Sequence, residues 1–229
     1  MNKILLFAAA ALLMAGCGPK QSDPGSTAGF KPLFDGQTMN GWRMFKNKEN
    51  DSWEVVDSTL HCKGFIDSAK NKRADLITMD QYQNFELVFD WKIPAQANSG
   101  VMFRVTEEFD VPYASGPEYQ IVDDLGYPGE LSDKNKTAGN FDMQAAENKT
   151  MYMGGWNSSK IVVNGNHVEH WLNGEKVLEY ELGSDAWKAL VAGSKWKDFP
   201  GYGLAPKGFI CLQDHGNEIW FKNIMIKEL

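Results

Sequence analysis

The pattern of apolar and polar positions changes character near residue 30. Ile4 to Ala15 form an unbroken apolar run, whereas from Phe30 onward short alternating segments are separated by Gly, Asn, Asp and Pro. "FELVFDWKI" alternates most cleanly, with Phe85, Leu87, Phe89 and Trp91 at one parity and Glu86, Val88, Asp90 and Lys92 at the other. Successive side chains of a strand point to opposite faces, so this segment is predicted to be a half-buried β-strand. "SGVMFRV", "EYQIV", "SKIVVNGNHVEHWLNGEKVLEYEL", "GFICLQ" and "EIWFKNIMI" follow in the same style, and Asn173-Gly174 predicts a hairpin turn. One short helix is predicted within "DAWKALVAGSKWKDF", and "DLGYPGELSDKNKTAGNFDM" is a long loop of the kind that is usually functional or mobile.

Many antiparallel strands without a helical layer leave sandwiches, barrels and propellers, and the lack of a blade-length repeat removes the last. The expected fold is all-β: a two-sheet antiparallel β-sandwich of the jelly-roll type. Its open concave face forms a groove suited to extended ligands such as carbohydrates.

The apolar run at the N-terminus is too short to span a bilayer and matches the core of a signal peptide. It ends in "LMAGC", which resembles a bacterial lipobox and makes Cys17 the expected lipidated first residue of the mature protein. The expected organisation is a signal peptide over residues 1–16, a lipidated cysteine and polar tether over 17–29, and a jelly-roll domain over 30–229. Acyl chains hold such a protein to a membrane without a spanning helix. By resemblance to lipoprotein sorting rules, Gly18 and the lack of an acidic cluster in "CGPKQSDPGS" point to the outer membrane, facing the periplasm. Without residues 1–16, 22 basic side chains face 30 acidic ones, a formal charge of −8 that disfavours nucleic acid. Cys62 and Cys211 have no metal-ligand spacing, and either a disulfide or two buried thiols suits them.

The candidate chemistry starts at "GPEYQIVDD", residues 116–124. With Tyr119 and Ile121 facing the core, Glu118 and Gln120 point into the groove, where a carboxylate beside an amide makes a sugar-hydroxyl receptor or a base with its positioner. The strand is expected to end at Asp123, leaving Asp123 and Asp124 at the groove's edge. Arg104 shares a face with Met102, so Glu118 is its expected carboxylate partner. Asn98, Ser99 and Gly100 precede it in a tight turn at the rim. In "LQDHGNEI", Gln213 ends a strand and His215 occupies the connecting turn, a suitable carrier for proton transfer near neutral pH. His170 alternates with Val168 and Leu172 and is expected in the core. Trp156, beside Asn157, is a candidate stacking platform for a sugar, whereas Trp42, Trp53 and Trp91 read as core. Glu118, Asp123, Asp124 and His215 could converge on a divalent cation, but no contiguous ligand loop is present and no cofactor is expected.

Five blocks, "FKPLFDGQTMNGWR", "NSGVMFRV", "GPEYQIVDD", "GGWNSSKIVVNGNHVEHWLNGEKV" and "GFICLQDHGNEIWFKNIMIKEL", resemble in order the 3-keto-disaccharide hydrolase family. The resemblance implies a concanavalin-like jelly roll and an activity on 3-oxo-glycosides; Gly155 stands where that family's pattern leads one to expect an acidic residue. A ketone at C3 acidifies the C2 proton, so the C1–oxygen bond can break by elimination, with water added afterwards. Such a site needs a base for C2, a donor or cation for the enolate oxygen, and help for the leaving oxygen. Glu118, Asp123 and His215 are the candidate proton carriers and Arg104 the candidate for the enolate oxygen; Gln120, Asp124, Trp156, Asn157, Gln213 and Asn98 are candidate substrate contacts. An upstream glycoside 3-oxidoreductase is implied as the source of the ketone. No E-x-D-x-E strand of the laminarinase kind is found, which disfavours an oxocarbenium glycosidase. A non-catalytic carbohydrate-binding module and a conventional β-glycan hydrolase are the alternatives.

Overall fold

The alternating segments form strands at the predicted places. In the computed structural model, which describes residues 28–65 and 72–229, the strands are β1 (Lys31–Pro32), β2 (Trp42–Met44), β3 (Trp53–Val56), β4 (Thr59–Lys63), β5 (Leu76–Tyr82), β6 (Phe85–Lys92), β7 (Asn98–Val105), β8 (Glu118–Val122), β9 (Asn157–Asn164), β10 (His167–Leu172), β11 (Glu175–Glu181), β12 (Gly208–Leu212) and β13 (Glu218–Glu228). Cys17 and its flanking segments lie outside the described residues. No described helix is long and apolar enough to cross a membrane.

The strands make two antiparallel sheets. One runs β11-β10-β9-β6-β13-β4-β3, with β1 on β13, and the other runs β2-β5-β12-β7-β8. Side chains of one parity meet between the sheets: Phe85, Leu87, Phe89 and Trp91 of β6 are at most 1% exposed and pack with Tyr119, Ile121, Val101 and Phe103 of the second sheet. Phe89 meets Tyr119 edge-on at 5.8 Å. Asn173 and Gly174 both have positive φ, the backbone that a tight two-residue hairpin requires.

The predicted helix is split in two. Helix α1 (Asp185–Ala192) is capped by Ser184, whose Oγ accepts from Trp187 N, and a 3-10 turn follows at Lys195–Asp198. The long loop after Asp123 runs along β8, an edge strand of its sheet. Ala138 N donates to Gln120 O at 2.8 Å and Phe141 N to Glu118 O at 3.1 Å, so the exposed backbone groups of that edge are occupied.

Two expectations about the strands change: Asn98, Ser99 and Gly100 are the first residues of β7, paired with β8, instead of a tight turn, and Arg104 leaves the alternation. Between β7 and β12 the register shifts around Phe209/Cys211, and Arg104 takes φ 55°. This bulge rotates Arg104 out of the alternation, and its guanidinium donates to Gly165 O in the β9–β10 turn of the other sheet instead of meeting Glu118. Cys62 and Cys211 are buried free thiols on different sheets, and burial pushes the Cys62 thiol up to about 12.

The bulge is fitted to a glycine on the adjoining strand: a Cβ on Gly208 would lie 2.3 Å from the backbone carbon of Arg104. Gly208→Ala is expected to destabilise the domain by about 1–3 kcal/mol, by analogy with overpacked cores, measured as a lower urea midpoint at unchanged m-value. An unchanged midpoint would show that the bulge accommodates a methyl group.

Candidate active site

Glu118 is the first residue of β8, and the predicted parity holds: Tyr119 and Ile121 point between the sheets, and Glu118 and Gln120 point to the opposite face. The carboxyl lies across Gly100 on β7, where an added Cβ would come within 2.1 Å of Oε1. A side chain at that position would occupy the space of the carboxylate. Glu118 is 3% exposed. Burial raises its pKa to about 8, against the opposing pull of the Lys195 charge; Asp75 pushes the same way as burial, and a Gln213 hydrogen bond opposes it.

Around this carboxyl is a cavity of about 240 Å³. Its floor is Asn98, Glu118, Gln120 and Gln213 from adjacent strands; Tyr113, Phe141, Lys195, Trp196 and His215 wall it from loops. Glu118 is the only carboxylate among those lining residues. The Asn98 Oδ1 and Gln213 Oε1 atoms are buried acceptors without a hydrogen-bond partner. Gln120 is more committed: Nε2 donates to Asn135 O at 3.2 Å and Oε1 accepts from Ile121 N at 3.1 Å.

His215 stands at the rim, outwardly exposed. The Asn98 amide donates to its Nε2 at 3.4 Å, which leaves that nitrogen as the acceptor of a neutral ring. Desolvation of the ring on its cavity side, then the Arg73 charge, lowers its pKa; an Asn217 hydrogen bond and Asp214 act against them. Asp214 anchors the turn, accepting from Gly216 N at 3.0 Å and from Arg73 Nε at 3.0 Å.

Trp196 ends a stack of rings that runs back into the core: Tyr180 on Trp187 at 5.5 Å, Trp187 on Tyr202 at 5.6 Å, and Tyr202 on Trp196 at 4.4 Å. Trp196 Nε1 donates to Phe141 O at 3.0 Å and so joins the two walls. Lys195, Tyr113, Phe141 and Trp196 were not among the sequence candidates. The one available signal was a lysine beside a tryptophan inside the segment predicted as the helix.

The remaining candidates do not reach the cavity. Asp123 caps the turn after β8, accepting from Gln96, Leu125 and Gly126 N–H groups; burial would raise its pKa, but these bonds outweigh it and the pKa is lowered. Asp124 pairs with Lys149 at 2.6 Å and accepts from Thr137 N. Trp156 lies under Lys222, 3.9 Å from the ring centre, and Lys92, on the first sheet. The Asn157 side chain ties together Tyr152, Gly155 and Asn173. The four residues considered for a cation therefore do not converge. His170 is buried as expected, with its pKa lowered to about 4 by burial.

The concave face is not an open groove. Phe45, 1% exposed, packs over Ile77, Met102 and Cys211 in mid-sheet. Arg43 grips Glu107 through two bonds of 2.7 Å, and Lys46 pairs with Asp110 at 2.7 Å, fastening this strap to the opposite loop. A larger cleft of about 760 Å³ lies at the other end, beside Gln81, Phe109 and Phe209, without the buried carboxyl. The smaller cavity falls below the range of about 300–1,000 Å³ typical of drug-sized ligands and suits one sugar ring.

The class defined by fold and site is a two-sheet antiparallel β-sandwich with a polar, aromatic-walled cavity against its five-stranded sheet. More specifically, the chain belongs to the family of 3-keto-alpha-glucoside-1,2-lyase-like domains, whose model matches residues 29–227. It is 32% identical to the 3-keto-disaccharide hydrolase of Bacteroides thetaiotaomicron over 90% of this chain and 80% of that protein. A Parabacteroides distasonis structure described as a candidate glycosyl hydrolase superposes with a TM-score of 0.81 at 39% identity, covering 88% of this chain and 94% of the other. A second from the same organism reaches 0.60 at 29% identity, covering 83% and 100%. The carbohydrate-binding module CBM66 of Bacillus subtilis, 10% identical with a TM-score of 0.50 and coverage of 82% and 96%, shares the fold alone.

Because Glu118 binds its proton more tightly in the folded chain, wild-type stability should fall as pH rises from about 4.5 to about 8. The contribution is complete below the unfolded pKa and lost through the folded one. Glu118→Gln should flatten this slope in chemical denaturation across that window; the same slope in both proteins would contradict the assignment.

Proposed function

We propose that the protein cleaves 3-keto-glycosides by removing the C2 proton, with Glu118 as the base. The observation that carries this reading is a single buried carboxyl, its pKa raised to about 8, in a cavity lined by no second carboxylate. Ordinary glycosidases place two carboxyl groups across the scissile bond, about 5–9.5 Å apart. A base poised near the working pH is instead what proton abstraction beside a ketone requires.

The C2 proton passes to Glu118, and the electron pair of that bond moves into the enolate. When the C1–oxygen bond breaks, the leaving oxygen takes a proton from His215. Water then adds across the enone, giving a proton back to His215 and its hydroxyl to C1, while Glu118 returns a proton to C2. Glu118 holds its proton more tightly than His215 does, so the reactive form, with Glu118 ionised and His215 protonated, is the minor one, and in it the Asn98 amide turns away from Nε2. Asn98 Oδ1 and Gln213 Oε1 accept from sugar hydroxyls, and Trp196 and Phe141 flank the ring. The Phe45 strap favours a terminal sugar over an internal unit of a polymer. The proposed setting is the cell envelope, with Cys17 as lipid anchor and an oxidoreductase supplying the 3-ketone.

Release of a chromogenic aglycone should occur from the 3-keto-glucoside and not from the plain glucoside. Glu118→Gln should lower kcat by about 10²–10⁴-fold with KM within a few-fold of wild type. Cleavage of the plain glucoside would overturn the reading, and binding without turnover of either compound would favour a binding module. A parallel assay with EDTA tests the dependence on a divalent cation.

A further inference from the structure

We propose that Lys195 is a catalytic residue: its ammonium donates a hydrogen bond to the C3 oxygen and holds the negative charge that forms there as the C2 proton leaves. This inference rests on the function proposed above. Lys195 faces the same cavity as Glu118, from the 3-10 turn that follows α1. Its backbone is fixed, because Lys195 N donates to Asp142 Oδ2 at 3.0 Å and Ser194 Oγ accepts from Trp196 N at 3.2 Å.

The ammonium itself is held by rings alone. Nζ lies 4.0 Å from the centre of Phe141 and 4.5 Å from that of Trp196. Among the described residues it has no hydrogen-bond acceptor and no carboxylate within 4.0 Å, whereas Lys31, Lys46, Lys134, Lys149 and Lys176 each have an acidic partner. Asp142, its neighbour, is already paired with Lys134 at 2.8 Å. The Lys195 donors therefore stay open. Burial lowers the pKa of this ammonium, and the Glu118 charge raises it, so the two groups favour ionising together.

The other donors of the cavity are weaker candidates. Trp196 Nε1 is used by Phe141 O, and the Gln120 amide by Asn135 O. A hydroxyl of the sugar gains no charge in the reaction, whereas the ketone oxygen gains a full one. A preset cation in a desolvated site is worth most at that atom. As Glu118 takes the proton, the C2–H pair forms the C2–C3 double bond and the carbonyl π pair settles on oxygen against Nζ. When the C1–oxygen bond breaks, the pair returns to the carbonyl and the C1–C2 double bond forms. Nζ keeps its protons and forms no covalent bond.

The test uses 3-keto-1,5-anhydroglucitol, which has the ketone but no exocyclic leaving group at C1, and follows loss of its C2 proton signal in D₂O by NMR. Wild type should exchange that proton. Lys195→Met should slow the exchange by about 10²–10³-fold, the loss typical of a missing oxyanion donor, while affinity for a methyl glucoside that has no ketone falls by far less. Lys195→Arg should recover part of the rate, and Lys195→Gln replaces the Met variant if that one does not fold. Exchange at the wild-type rate in Lys195→Met would overturn the proposal, as would a borohydride-trapped adduct on Lys195, because the route would then be covalent. A wild-type protein that neither exchanges nor cleaves the keto sugars refutes the proposed function, and the role of Lys195 with it.

Discussion

The Glu118 carboxyl occupies space that exists because the neighbouring strand has no side chain at Gly100. It is desolvated there, and the other features of the site follow from that placement. A carboxylate on an exposed edge strand would titrate in the ordinary range and be a weak base at neutral pH. Covered by the 138–144 segment and walled by aromatic residues, it holds its proton up to about pH 8. The nearby Lys195 charge keeps the ionised form accessible.

That cover depends on parts of the fold far from the cavity. The edge of β8 has to be paired, and the loop that pairs it delivers Phe141. Trp196 is held by a stack of rings that starts at Tyr180 on β11, in the opposite sheet, so the two sheets jointly define where Lys195 sits. On the other side Phe45 packs over Ile77, Met102 and Cys211 and covers that part of the sheet. The sandwich supplies a floor that includes Glu118, and the connecting segments supply Phe141, Lys195, Trp196 and His215.

Much of this was legible in the sequence where period-two alternation acts alone. β6 and β8 fall where the alternation puts them, and the parity of Glu118 and Gln120 was correct for the same reason. The reading failed where one residue interrupts the period. The bulge at Arg104 gives no signal in composition, and it removes an ion pair that alternation alone required. Asp123, Asp124 and Asn157 have the residue types of a sugar site but serve turn geometry, since short polar side chains satisfy backbone amides as readily as ligands. Lys195 and Trp196 were missed because their role arises from a tertiary contact with a loop more than fifty residues earlier in the chain, Phe141. The blocks that carry the family resemblance identified the kind of protein better than they identified the residues that line its cavity.

On the proposed route bond cleavage begins at C2, where Glu118 takes the proton. A chromogenic 3-keto-glucoside carrying deuterium at C2 tests it most directly, through the isotope effect on kcat/KM measured beside the protiated compound. Cleavage of the deuterated substrate should be slower, by a factor of a few. Equal rates for the two, together with full retention of the C2 deuterium in the released sugar, would contradict it and place the first step at C1.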